Sequence, residues 1–292
     1  MEALQSMDKV NTCWYSLLKY LEVYNLNPPA TTSVFVYTDR PAFFESFIPF
    51  FHRFQIKEVP QTQLNEWQGK HPLPERVNIE ILLDVLAHQS GNVLFLDSNT
   101  FTTAPLENVF KKMEEGHFLL HSHRRPMNNS TDPELAQLER FLAQGSIEQD
   151  GQKLTIGQLR IWNSYAIGLN RRHKAVVEDA LRLINLTYMQ FPHAAVIPFA
   201  LSHCFQKTGV VSPAADCVYH YGKLKEFHQL LHLFFKKNQE ESISNLVKRL
   251  HVLDAPSIQK QKNRFQALPF YKKWLQIMTG KNWNIKQYEK KI

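Results

Sequence analysis

Cysteine is scarce in this chain. There are three in 292 residues, Cys13, Cys204 and Cys217, odd in number and far apart. That spacing excludes a disulfide framework and the paired-cysteine zinc motifs, and it reads as reduced, buried thiols in a cytosolic protein. No window holds about 18 consecutive apolar residues, so no membrane-spanning helix is expected. The first residues, MEALQSMDKVNTCWYSLLKYLEVYN, lack the basic start and unbroken apolar run of a secretory leader and read as a helix. Internal repeats and low-complexity stretches are missing too. Neither an RNA-binding signature nor an Arg-rich arm occurs, so nucleic acid is not an expected partner.

What is present suits a folded globular chain, 43% hydrophobic and 21% charged, with an aromatic core promised by 20 Phe and 10 Tyr. The length allows one large domain, or a domain of about 220 residues with a small appendage. Charge is uneven. Residues 221–292 hold 15 Lys/Arg against 5 Asp/Glu, a net of +10 in a chain of +7, which leaves −3 for the first 220 residues. A basic tail suits anionic lipid or an acidic substrate.

The run SVFVY, residues 33–37, reads as a buried strand that ends in a turn at Thr38-Asp39-Arg40-Pro41. A helix over PAFFESFIPFFHRF and a strand over QIKEV follow. PERVNIEILLDVLAHQ, residues 74–89, has helical spacing, with Pro74 opening it and Gly91 beyond it. NVLFL is a strand, PLENVFKKMEE a helix and HFLLH a strand. DPELAQLERFLAQG is a helix capped by Asp132, and WNSYAIGL a strand. RHKAVVEDALRLINLTYMQ and AAVIPFALSHCFQKTG are helices, CVYHYG closes the series, and helices follow to the end. Strands that alternate with helices predict a mostly parallel α/β sheet. Ligands of such sheets sit beyond the carboxyl ends of the strands, where Asp39 and Asp97 fall.

Asp97-Ser98-Asn99 ends an apolar strand. An acid and a second oxygen ligand two residues on can face one hard cation; the local alternative is an Asp-initiated turn. His121 and His123 form no metal pair by spacing and read as strand-end residues lining a cleft. Further alternatives stay open from the local pattern: Tyr37 as core, Asp39 as a helix cap, Arg76 as a solvated helix residue, and Asn163 and His220 as hydrogen-bonded structural groups.

GNVLFLDSNTFTTAPL (residues 91–106) resembles the strand-and-aspartate motif of GT-A-fold glycosyltransferases, in which an apolar strand ends in Asp-x-Asp-Thr. IWNSYAIGL (161–169) is similar to a later strand of the glycogenin-like and related bacterial transferases. VYHYGKLK (218–225) resembles their closing H-x-x-G-x-x-K segment, and VFVYTD (34–39) their first nucleotide-contacting strand. The four motifs occur in order over roughly residues 31–227.

The resemblance implies a GT-A-like, mostly parallel mixed sheet flanked by helices over residues 1–227, with a basic helical extension over 228–292. It implies transfer of a sugar from a nucleoside-diphosphate sugar, UDP-sugar favoured, to a saccharide or lipid-linked acceptor of the bacterial envelope, by a cytoplasmic enzyme. Mn²⁺ or Mg²⁺ would be held by Asp97, Asn99 and His220. The donor would meet Tyr37, Asp39, Arg76, Asp97, Ser98, Asn163, Ser164 and Lys223, with Lys225 as the alternative to Lys223; no residue is assigned to catalysis. Three departures stand out. Asn99 replaces the second Asp of the motif, which weakens a metal site. Tyr165 replaces a Gly. Val196-Ile197-Pro198-Phe199 stands where relatives carry an acid or amide. The alternative reading is therefore a catalytically degenerate transferase-like binding or scaffold protein. In the tail, Phe234, Phe235, Phe270, Trp274 and Trp283 alternate with lysines. They either pack the helices down or contact the inner membrane face peripherally.

Overall fold

The computed structural model describes the chain apart from residues 71, 127–132, 146, 150–151, 154–158 and 280–281. Its first half runs β1 (Glu2–Ala3), α1 (Met7–Val23), β2 (Ser33–Thr38), a 3-10 helix (Pro41–Phe50), β3 (Arg53–Glu58), α2 (Gln61–Gln68), α3 (Arg76–His88), β4 (Asn92–Leu96) and β5 (Thr100–Thr102). Then come α4 (Glu107–Glu114), β6 (Phe118–Pro126), α5 (Pro133–Ala143), β7 (Glu148–Gln149), β8 (Gln152–Lys153), β9 (Arg160–Asn170), α6 (Lys174–Gln190), α7 (Val196–Thr208), β10 (Val211–Pro213) and β11 (Val218–His220). The chain ends with α8 (Glu226–Lys237), α9 (Ile243–Arg249), α10 (Ala255–Gln266), α11 (Phe270–Met278) and α12 (Lys286–Glu289). The cap expected at Asp132 lies outside the described residues.

Two compact units share the chain. The first comprises Met1, Glu58–Asp97 and Ala104–Val218; the second comprises Glu2–Lys57, Ser98–Thr103 and Tyr219–Ile292. The boundary expected at residue 227 falls inside the second unit, because α1 packs against α8 and α9 and draws the C-terminal helices into the same body as the first strands.

The first unit is built on a four-stranded sheet in the order β10-β6-β9-β4. Here the expectation of a mostly parallel sheet is corrected. β10 runs parallel to β6, but β9 is antiparallel to both of its neighbours, β6 and β4. The alternation of strands with helices does put β4, β6 and β10 in one direction; β9 then enters between β4 and β6 running the other way. Its two faces carry Ile161, Ala166, Ile167 and Leu169 into the core beside Leu119 and Leu120 of β6. Gly168 sits opposite Leu119, and a Cβ there would come within 2.9 Å of Met113 Sδ and 3.0 Å of Leu119, so only glycine lets α4 and β6 close on this strand. α7 covers the sheet, with Phe205 stacked on Phe118 at 4.6 Å. Pro198 causes no break inside α7, since it sits in the first turn, where its missing N–H costs nothing.

The second unit is centred on α1. Ser6, in extended conformation, caps it by accepting from Lys9 N at 3.2 Å. Tyr15 is fully buried and meets Phe101, Tyr221 and Phe227 edge-on at 5.2, 5.8 and 5.3 Å. Its hydroxyl donates to Leu253 O at 2.8 Å, which satisfies its buried polar atom. Burial drives the Tyr15 phenol well above its ordinary value and the Cys13 thiol to about 12, so both stay neutral. The sheet of this unit is β1-β2-β3, with β1 parallel to the end of β2. Among the described residues no helix is long and apolar enough to cross a membrane.

Candidate functional site

The aspartate motif lies where the chain passes from one unit to the other. Asp97 belongs to the first unit, and Ser98 begins the second. Asp97 N donates to Tyr165 O at 2.9 Å, extending the β4–β9 ladder one step past Leu96. Its side chain is half-buried.

Within the second unit Ser98 and Asn99 form a turn into β5, and β5 pairs with β11. Tyr221 N donates to Asn99 O at 3.0 Å, and the Tyr221 hydroxyl reaches Ser98 O at 3.4 Å. Two segments more than a hundred residues apart are thereby stitched together. At this junction the imidazole of His220 folds over Gly222: a Cβ on Gly222 would stand 2.7 Å from His220 Cε1 and Nε2 and 3.8 Å from Asn99 Cβ. With glycine here the ring lies close over the backbone; a larger residue would have to turn the imidazole aside. Lys223 follows on the exposed side of the turn closed by Leu224 N to Tyr221 O at 2.7 Å, and Lys225 is exposed as well.

A charged pair that sequence reading missed sits at the same turn. Ser98 is fully buried, and its hydroxyl accepts from Lys9 Nζ at 3.2 Å. The same ammonium lies 2.5 Å from Glu2 Oε1, and Glu2 is itself buried. A buried carboxylate needs such a partner to avoid a large desolvation cost. No local signal could reveal the group, since Lys9 and Ser98 are 89 positions apart.

The residues expected to meet the nucleotide part ways. Tyr37 is 3% exposed and pairs with Glu2 in the β1–β2 ladder, so its ring belongs to the core. Asp39 is exposed and caps no helix: the 3-10 helix has Arg40 at its cap position with no side-chain bond. Instead, Asp39 Oδ2 accepts from Gln5 N at 3.2 Å, and Thr38 Oγ1 donates to Ala3 O at 2.8 Å. The strand end is thus tied to the segment leading into α1.

In the first unit, Asn163 lies mid-β9 opposite Ser122 and donates from Nδ2 to Ser122 Oγ at 2.9 Å. Ser164 beside it is half-buried. Tyr165, in place of the expected glycine, meets the His121 ring edge-on at 5.7 Å. His121 is held on both ring nitrogens, by Ser122 Oγ at 3.1 Å and Val218 O at 3.2 Å. Burial lowers its pKa and the Val218 carbonyl pulls partly the other way. His123 packs on Trp162. Arg76 ion-pairs with Glu80 at 2.7 Å, donates to Asn185 Oδ1 at 2.9 Å and also bonds Trp67 O, which ties α2 to α3 and α6. Among the described residues no three His, Cys, Asp or Glu gather as a metal cluster.

No protein-family model matches the chain. No curated protein matches it either. Among solved structures it is similar to the apo form of mouse xyloside xylosyltransferase 1, at 8% identity and a TM-score of 0.45, over 73% of this chain and 83% of that one. The likeness is partial, and no residue role transfers across it. What the chain itself shows is a mixed α/β structure in which, within the second unit, Asn99 O accepts from Tyr221 N beside His220.

Proposed function

We propose that the protein is a glycosyltransferase that binds a nucleoside-diphosphate sugar, a UDP-sugar by preference, and hands the sugar to a saccharide or lipid-linked acceptor. One observation supports this reading: the Ser98–Asn99 turn and the His220–Gly222 turn are joined by the bond from Tyr221 N to Asn99 O, with the His220 imidazole lying close over Gly222. Asn99 stands two residues past the strand-end carboxylate of Asp97; a carboxylate and an amide oxygen suit a hard divalent cation, and an imidazole is an acceptable, softer ligand for Mn²⁺. Asp97, Asn99 and His220 would hold Mn²⁺ or Mg²⁺, which would neutralise charge on a departing diphosphate. The chain's own groups do the rest. Exposed Lys223 would pair with phosphate oxygens, and Lys225 is its alternative. Exposed Asp39 would accept from ribose hydroxyls. Asn163 and Ser164, on β9, would line the sugar.

A second reading has its own observation. Asn99 brings no charge, and Lys9 already sets an ammonium against Ser98 at 3.2 Å. The Lys9 charge is matched by Glu2, so it is the uncharged amide of Asn99 that weakens a metal site here, which suits a transferase-like chain kept for binding alone.

Calorimetric titration of UDP with and without Mn²⁺ tests the first reading. Binding should tighten with Mn²⁺, and Asp97→Ala and His220→Ala should each remove about tenfold or more of that gain. Equal UDP affinity with and without Mn²⁺ in all three proteins would sink the metal role. No UDP binding, together with no turnover of any sugar nucleotide, would hand the case to the second reading.

A further inference from the structure

Helix α11, FYKKWLQIM, buries none of its residues. Phe270 is 84% exposed, Trp274 53%, Leu275 52% and Met278 67%, and Tyr271 and Ile277 are exposed as well. The helix is nevertheless sharply two-faced. At about 100° per residue its six apolar side chains fill one arc of about 160°, and Lys272, Lys273 and Gln276 fill the opposite arc. Folding ordinarily turns such an arc onto a core. Here the arc faces solvent, while the neighbouring α10 buries Ala255 and Ile258 and is anchored by Lys262 to Glu226 at 2.7 Å.

Charge decides what can cover the arc. From residue 255 to the end the chain carries nine Lys/Arg and a single acid, Glu289. With nine basic residues against one acid, a second copy would set a segment of net +8 against another of net +8. An anionic surface would attract that charge, and Phe, Trp and Tyr are the side chains that settle at a bilayer interface. Nine residues are far too few to span a bilayer, but they suffice to lie along one.

We propose that α11 is a membrane-surface anchor that inserts Phe270, Trp274, Leu275 and Met278 among the headgroups of an anionic bilayer, with Lys272 and Lys273 held over the lipid phosphates. The inference stands apart from the glycosyltransferase reading, since it uses no residue of the nucleotide site. If that reading also holds, a lipid-linked acceptor is the substrate class that this anchor would bring within reach.

The full chain is tested by co-sedimentation with vesicles of phosphatidylcholine alone and of phosphatidylcholine mixed with phosphatidylglycerol, at low and high salt. Binding is expected only to the anionic vesicles, with a blue shift of tryptophan emission, and should weaken as salt screens the lysines. Phe270→Ser combined with Trp274→Ser should lower binding about tenfold or more, as should Lys272→Glu combined with Lys273→Glu. These side chains are exposed, so circular dichroism and thermal melting of both variants should match the parent. Trp274→Phe should keep most of the binding. Equal binding to both kinds of vesicle, no binding to either, or a dimer that Trp274→Ser dissolves would overturn the proposal. UDP affinity measured on the same variants separates a failure here from a failure of the nucleotide reading.

Discussion

Helices α8 and α11 are made of the same materials. Each interleaves aromatic and aliphatic residues with lysines, EFHQLLHLFFKK in one and FYKKWLQIM in the other, and each is two-faced. Their fates differ. α8 buries Phe227, Leu230, Leu231 and Phe234 against α1, whereas α11 buries nothing. Amphipathic spacing says that a face exists. It does not say what covers the face, because that depends on elements more than two hundred residues away in the chain. α1 supplies the cover for α8, and among the described residues α11 has no such counterpart.

The contrast can be broken at both ends. Phe234→Ala, at a fully buried position, should cost about 3–5 kcal/mol in chemical denaturation. Trp274→Ala, at a position 53% exposed, should stay within about 0.5 kcal/mol. A similar loss at both would mean that α11 packs on the unit after all. Phe235 offers an intermediate case. It is half-buried, with its ring edge-on to Trp14 at 5.6 Å, and Phe235→Ala should cost about 1–2 kcal/mol by the same measurement. An effect as large as that of Phe234→Ala would place it inside the core.

The smallest expected effect is electrostatic. Glu226 opens α8 and pairs with Lys262 of α10 at 2.8 and 2.7 Å. Partial burial raises its carboxyl pKa, but the hydrogen bond and charge of Lys262 and a backbone bond outweigh this, leaving it below the ordinary 4.5. A depressed carboxylate contributes stability above its unfolded pKa and loses it as pH falls through the folded value. Glu226→Gln should therefore cost less than about 1 kcal/mol at neutral pH, and the gap to the parent should close in acid. A gap that persists in strong acid would mean that packing, not charge, holds α8 to α10.

Much of the element order was legible. The period-3.6 stretches at residues 74–89 and 172–190 and the apolar run before Asp97 correspond to α3 (Arg76–His88), α6 (Lys174–Gln190) and β4, since their spacing and end signals are local. The direction of β9 was not legible, because an eleven-residue strand carries no mark of which neighbour it will pair with. In the second unit Asn99 O accepts from Tyr221 N, next to His220. The guanidinium of Arg76 and the ring of Tyr37 are instead used within their own units, by Glu80 and Asn185 in one case and by the β1–β2 core in the other. Lys9 and Glu2 could not be found in advance, because a half-buried ion pair beside Ser98 exists only once the first helix has docked.

By itself the sequence determined the local conformations, the basic charge of the last seventy or so residues and the absence of a long apolar span, all of which depend on neighbours a few positions apart. Only the tertiary structure decided which faces found cover, which charges found partners and which motifs met. Those outcomes depend on groups distant in the chain, and their energies come from burial and desolvation, which no single stretch of sequence contains.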